Sequence, residues 1–268
     1  MSASSREFDI IQSAQQRALT IDLPAPQLPR FFVAFGRRNY RAFPWRARRT
    51  SVFGVLIAEV LLKQTKADDV APIWQDLLRR YPTPERLRQA PRRLLASLLR
   101  PLGLQNQRAG ALRDLASALV NKHDGNVPET LHELLALPHV GMYTACAVRS
   151  FAFHARVPIV DGNIVRFFTR FTGIALPRDV RRAPDAWSLA WAVLPRHSVA
   201  LHNYGLLDFT GLVCTPRAPH CASCSLFNEC AFGKCSGSGL PATPTKKIPR
   251  VTAQRRASVA NKGLPSPA

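Results

Sequence analysis

Apolar residues recur along most of the chain with a helical period; Leu112, Leu115, Ala116 and Leu119, for example, stand at i, i+3, i+4 and i+7. Proline and glycine interrupt this pattern at short intervals: Pro82 and Pro84, Pro91, Pro101 to Gly103, Gly125 to Pro128, Pro138, Pro158, Pro177 and Pro184. The alternation expected of strands is scarce. Helices this short are not stable alone and must bury their apolar stripes against one another, which predicts an all-α body of about ten helices. Residues 1–27 show no strong periodicity apart from Ile10 and Ile11, and Leu23-Pro-Ala-Pro-Gln-Leu-Pro29 ends them as a linker. The longest apolar run, Val52 to Leu62, is too short to span a bilayer and contains Glu59. The N-terminus lacks the basic-then-apolar order of a secretion signal, so a soluble cytoplasmic protein is expected.

Charge changes the picture. Lys and Arg number 37 against 17 Asp and Glu in 268 residues, a net charge of +20, while 46% hydrophobic residues exclude overall disorder. The excess is therefore displayed on a folded surface, and a polyanion is the first partner to expect. Residues 236–268 are rich in Ser, Gly, Pro, Thr and Ala and carry six Lys or Arg with no acid, which reads as a disordered basic tail. Removing the tail leaves +14, so affinity for nucleic acid is expected to survive truncation.

Five of the six cysteines crowd into residues 214–235. Such crowding favours metal ligation over a disulfide framework. Four thiolates spaced as Cys214-x6-Cys221-x2-Cys224-x5-Cys230 can wrap one [4Fe–4S] cluster; structural zinc, the alternative, more often uses two separated pairs. Cys235 lies beyond the motif, and Cys146 reads as a small buried hydrophobe. Arg217 and His220 place basic groups on the same loop.

Leu134 to Val148 reads as helix, tight turn at Pro138 to Gly141, then a second helix. A turn that opens a helix presents bare amides and the positive dipole end, which suits a phosphate; His139, Val140, Gly141 and Thr144 are the residues so placed. Val157 to Arg166 is an extended approach into a helix that starts at Asp161, a good N-cap whose ionised form the amides and the dipole both favour. A plain cap is the alternative reading. Glu59 is one carboxyl on an otherwise apolar helix, where desolvation raises its pKa and lets it give a proton or a hydrogen bond; a satisfied structural Glu is the alternative. Asp208 also sits among apolar residues and is expected to make a structural hydrogen bond. Phe43 and Trp45 are expected in the core, with stacking on a base as the second option.

Leu137-Pro-x-Val-Gly-x-x-Thr-Ala145 and the cysteine spacing resemble the endonuclease III, or helix-hairpin-helix, superfamily of DNA glycosylases, and so do Phe43-Pro-Trp-Arg46, Glu59-Val-Leu-Leu-Lys-Gln-Thr65, Gly103-Leu-Gln-Asn-Gln-Arg-Ala109 and Val160-Asp-Gly-Asn163. The resemblance covers nearly all of residues 30–235. It implies a two-domain helical fold with a DNA cleft: a six-helix barrel domain over 52–157 and a discontinuous iron–sulfur domain over 28–51 and 158–235, with 1–27 as an extension. It implies a [4Fe–4S] cluster on Cys214, Cys221, Cys224 and Cys230, and phosphate contacts from the hairpin and Arg217. Gln64 takes the place of the family's duplex-wedging Gln, and Asp161 that of its essential Asp. His139 stands where the family usually carries Gly, and positive φ is less accessible to His. Bifunctional members use a Lys amine to form a Schiff base with the sugar; that position is Tyr143 here, and a phenol forms no imine.

The resemblance is closest to Mig-type mismatch glycosylases. MutY-type adenine glycosylases usually show Gly-Leu-Gly-Tyr-Tyr-x-Arg-Ala and a further C-terminal domain, whereas this chain reads Gly103-Leu-Gln-Asn-Gln-Arg-Ala109 and His202-Asn-Tyr-Gly-Leu-Leu-Asp-Phe209, with the tail after Cys235. The expected activity is monofunctional excision of thymine or uracil mispaired with guanine in double-stranded DNA, by a monomer associated with the nucleoid. Adenine excision by a shortened MutY-like enzyme is the rival, and a non-catalytic iron–sulfur DNA-binding protein the second.

Overall fold

The computed structural model describes residues 3–21 and 25–237. Among them are thirteen α-helices: α1 (Ala3–Ala18), α2 (Leu28–Arg38), α3 (Val52–Leu61), α4 (Ala67–Arg80), α5 (Pro84–Gln89), α6 (Arg92–Leu99), α7 (Gln105–His123), α8 (Leu131–Ala136), α9 (Met142–Phe151), α10 (Gly162–Thr172), α11 (Pro184–Ala192), α12 (Val199–Leu212) and α13 (Ala231–Gly237). The all-helical expectation holds. No helix among the described residues is long and apolar enough to cross a membrane. The linker expected at 23–29 falls partly outside the described residues. Of the tail, only its first two residues are described, as the end of α13.

Local chemistry sets the helix starts. Ser51, Thr83, Thr130 and Asp161 each accept the amide hydrogen three residues on, which satisfies one of the donors left open in a first turn. Packing does the rest. Helices α3 to α9 contact mainly one another, with α5 and α6 laid on α7 and α3 on α9; α2 packs on α12, and α10 on α11, α12 and α13. Helices α2 and α12 meet backbone to backbone, because a methyl at Gly36 would stand 2.5 Å from the Leu201 carbonyl and one at Gly205 would fall on that of Phe32. Phe32, Phe167 and Phe209 close the same core edge to face, at 5.4–5.7 Å between ring centroids.

Helix α1 departs from the sequence expectation. Residues 3–18 form a regular helix that buries Ile11 and Ala14 and packs on both α8 and α11. Only two of its residues are fully buried, and Phe8 finds its partner, the His132 ring at 6.2 Å, on a distant stretch of chain. Tertiary contact supplies what periodicity lacked.

Candidate active site and nucleic-acid interface

Glu59 lies in the last turns of α3, almost wholly buried among apolar neighbours, and its Oε2 has no hydrogen-bond partner. Burial pushes its carboxyl up to about 7, and the Asp161 charge adds to this; Arg46, the Tyr143 hydroxyl and Lys63 pull the other way. The phenol of Tyr143, in the first turn of α9, donates to Glu59. Burial, then the charges of Glu59 and Asp161, hold that phenol well above its ordinary range, so it is neutral at any physiological pH.

Asp161 is built differently. It caps α10: Oδ1 accepts from the Ile164 amide at 2.8 Å and Oδ2 from Asn163 Nδ2 at 2.8 Å. Asn163 Oδ1 in turn accepts from Arg166 at 2.7 Å, and the same guanidinium donates to the carbonyls of Thr210 and Cys214 at 2.9 and 2.8 Å. The capping carboxylate is thus tied by side chains to the first residue of the cysteine loop.

Arg46 forms a two-pronged ion pair with Asp208, at 2.7 and 3.0 Å, with both side chains buried. Its guanidinium lies 4.2 Å from the Tyr204 ring centroid, and Tyr204 stacks on Phe151 at 4.0 Å. The pair joins the segment before α3 to α12 and sets a fixed cation near Glu59. Asp208 therefore has the structural role expected of it. The part played by Arg46 was missed, although a charge at each end among apolar residues was the available signal. Trp45 is core, edge-on to Trp74 at 6.1 Å, and the half-buried Phe43 stacks on it at 4.9 Å.

At the hairpin between α8 and α9, His139 adopts φ +61°, the conformation that glycine takes most readily. Its carbonyl accepts from the Lys63 amine, and its imidazole lies 3.4 Å from Asp114 of α7. Gly141 caps α9 with no side-chain acceptor, so the amides of the first turn stay open. The side chains of Val140 and Thr144 are buried and hold the hairpin; the Val140 amide bonds the Leu137 carbonyl at 3.3 Å. Gln64, at φ +57°, and Leu104, at φ +50° and 59% exposed, face one cleft of about 560 Å³ that His139 also lines. Leu104 was not foreseen; an exposed leucine in a left-handed conformation is visible only in the structure. Arg108 pins both turns, donating to the carbonyls of Gly103, Leu61 and Lys63 and, at 2.6 Å, to Thr65 Oγ1.

The four motif cysteines, Cys214, Cys221, Cys224 and Cys230, line one small cavity walled by Phe167, Phe171 and Phe209. Arg170 donates to Cys214 Sγ at 3.5 Å and to the Thr215 and Pro216 carbonyls, and the Cys230 thiol donates to the Arg170 carbonyl at 3.4 Å. Burial and mutual repulsion push the thiols of Cys221, Cys224 and Cys230 up, so thiolates here need a cation among them. Among the described residues no three His, Cys, Asp or Glu groups are close enough to hold a single metal ion. Arg217 is exposed on the loop. Cys146 is buried in α9, and burial pushes its thiol up to about 12.

Residues 57–187 match the model of the HhH-GPD superfamily base excision DNA repair proteins. The thymine/uracil-DNA glycosylase of Methanothermobacter thermautotrophicus is 34% identical over 205 residues, 76% of this chain and 92% of that one. An adenine DNA glycosylase of Mycobacterium tuberculosis is also 34% identical, over 75% of this chain and 66% of its own. Among solved structures, a thermostable thymine-DNA glycosylase superposes with a TM-score of 0.72 at 32% identity, covering 77% of this chain and 94% of that one. A non-covalent endonuclease III–DNA complex gives 0.67 at 26% identity, covering 80% and 98%. The helical fold, the hairpin and these likenesses agree: the chain belongs to the HhH-GPD superfamily of base excision DNA repair proteins.

Proposed function

We propose that the protein is a monofunctional DNA glycosylase that removes thymine or uracil mispaired with guanine and leaves the strand intact. The observation that carries this reading is a pair of carboxyls close enough to feel each other's charge yet with opposite surroundings, and a neutral phenol, Tyr143, that feels both. Breaking an N-glycosidic bond builds positive charge on the deoxyribose, and Asp161, held by an amide and by Asn163, is a fixed anion suited to stabilise it. Glu59, poised near neutrality, holds a proton or a hydrogen bond for the departing base or for water. Tyr143 has no amine, so it forms no imine and gives no strand cleavage. The thymine/uracil-DNA glycosylase relatives support the choice of base.

Extrusion of the pyrimidine leaves a gap in the stack, and Gln64 with Leu104 on exposed, left-handed turns is suited to fill it. His139, the open amides after Gly141, and Arg217 would hold phosphates. The separate packing of α3 to α9 and of α2 with α10 to α13 supports the two-domain division, with double-stranded DNA held between the domains by a monomer. Cys214, Cys221, Cys224 and Cys230 would hold a [4Fe–4S] cluster, and their shared cavity and the neighbouring Arg170 suit it. When bound, the cluster supplies four cross-links that pin the loop carrying Arg217.

The test is base release from G·T, G·U, G·A and oxidised-G·A duplexes, followed by heating in alkali. Release from the first two, with breaks only after alkali, is expected. Adenine release instead favours the rival reading, which the protonated state of Glu59 and the adenine glycosylase relatives support. Binding with no release from any duplex overturns catalysis altogether. Iron and sulfide analysis with the visible charge-transfer spectrum of purified protein tests the cluster.

A further inference from the structure

Beginning at the edge of the cleft, residues 79–100 carry seven exposed arginines, no lysine, and Glu85 as their one acid. Arg79 and Arg80 pair with Asp76. Arg86, Arg92, Arg93 and Arg100 make no side-chain hydrogen bond or ion pair among the described residues, so the fold gains nothing from their charges. A merely solvated face gains nothing from being all arginine. A phosphate ladder does, because the guanidinium fork bonds two oxygens at once.

Both α5 and α6 lie along α7, and two contacts give the line its direction. Arg88 reaches Asn121 Oδ1 at 2.9 Å, near the far end of α7, while the Arg92 guanidinium stands 3.8 Å from where a β-carbon on Gly110 would be, at the cleft that Gln64 and Leu104 share. From Gly110 to Asn121 the helix rises roughly 16 Å. That is about five steps of a DNA strand at about 3.4 Å each. The ridge therefore starts at the cleft and leads away from it on one side.

We propose that this arginine ridge is a track for the sugar–phosphate backbone of the duplex arm on one side of the extruded base. The inference rests on the glycosylase reading for the position of the DNA, and the test separates the two. Dissociation constants are measured for G·T duplexes in which either arm is lengthened stepwise, with the wild-type protein, Arg86→Ala/Arg93→Ala, and Arg86→Lys/Arg93→Lys. The wild-type protein is expected to bind about fivefold tighter as one arm, but not the other, gains about five base pairs. The plot of log K against log salt is expected to be shallower by about 2 in the alanine variant, at about 0.9 per lost phosphate contact, and restored in the lysine variant. Its single-turnover release rate at saturating enzyme is expected to match the wild type. Equal dependence on both arms, or an unchanged salt slope in the alanine variant, overturns the ridge. Absence of base release by the wild-type protein overturns the glycosylase reading instead, and the arm-length and salt data still judge the ridge.

Discussion

Glu59 and Asp161 come from the two packing groups and lie close enough for the Asp161 charge to raise the Glu59 carboxyl, yet their surroundings are opposite. Glu59 is supported by an apolar helix and one phenol, leaves an oxygen without a partner, and is held near 7 by burial. Asp161 is supported by a helix N-terminus and an amide side chain, and both of its oxygens accept hydrogen bonds. Desolvation makes an acid of one carboxyl, and preorganised donors fix the position of the other. Only the anion is wired onward, through Asn163 and Arg166, to the cysteine loop.

The contrast is most directly broken at Asp161. Asp161→Asn keeps a good N-cap, so the melting temperature should barely move, while single-turnover base release falls on the order of 10³-fold. At Glu59 the Gln substitution should cost on the order of 10²-fold and abolish the loss of rate above pH 7 that titration of the wild-type carboxyl produces. Stability follows the same proton. The folded state binds it more tightly than the unfolded chain, so wild-type stability falls as pH rises from about 4.5 through about 7, by up to about 3 kcal/mol. Melting curves of Glu59→Gln should be flat across that window.

Two milder changes sharpen the comparison. Asn163→Ala removes one of the bonds that orient Asp161, so kcat should fall about tenfold with KM nearly unchanged; an equal fall in binding would show the bond to be structural only. Tyr143→Phe removes a hydrogen bond that favours the ionised Glu59. The alkaline limb of the rate profile should then move up by about one pH unit, read from single-turnover rates between pH 5 and 9.

Much of this is legible in the amino-acid order. The helix breaks at proline and glycine, the hairpin turn, the cap at Asp161, the lone carboxyl in the apolar run and the thiol spacing are local features, and local features can be read along the chain. What was not legible is non-local. Helix α1 has too thin an apolar stripe to announce itself and exists by docking on α8 and α11. Arg46 and Asp208 are 162 positions apart and become one ion pair only when the turn before α3 meets α12 in the folded chain. The pinning of two turns by Arg108, the exposed Leu104 beside Gln64, and the chain of bonds from Asp161 to Cys214 likewise join segments distant in sequence.

The amino-acid order by itself determined which residues are candidates for chemistry, because residue type and near-neighbour spacing set caps, turns and ligand patterns. Only the tertiary structure decided the state of those residues. The Glu59 carboxyl is raised by what packs around it, and Asp161 is oriented by groups its neighbours hold in place; burial and long-range contact are properties of the folded whole.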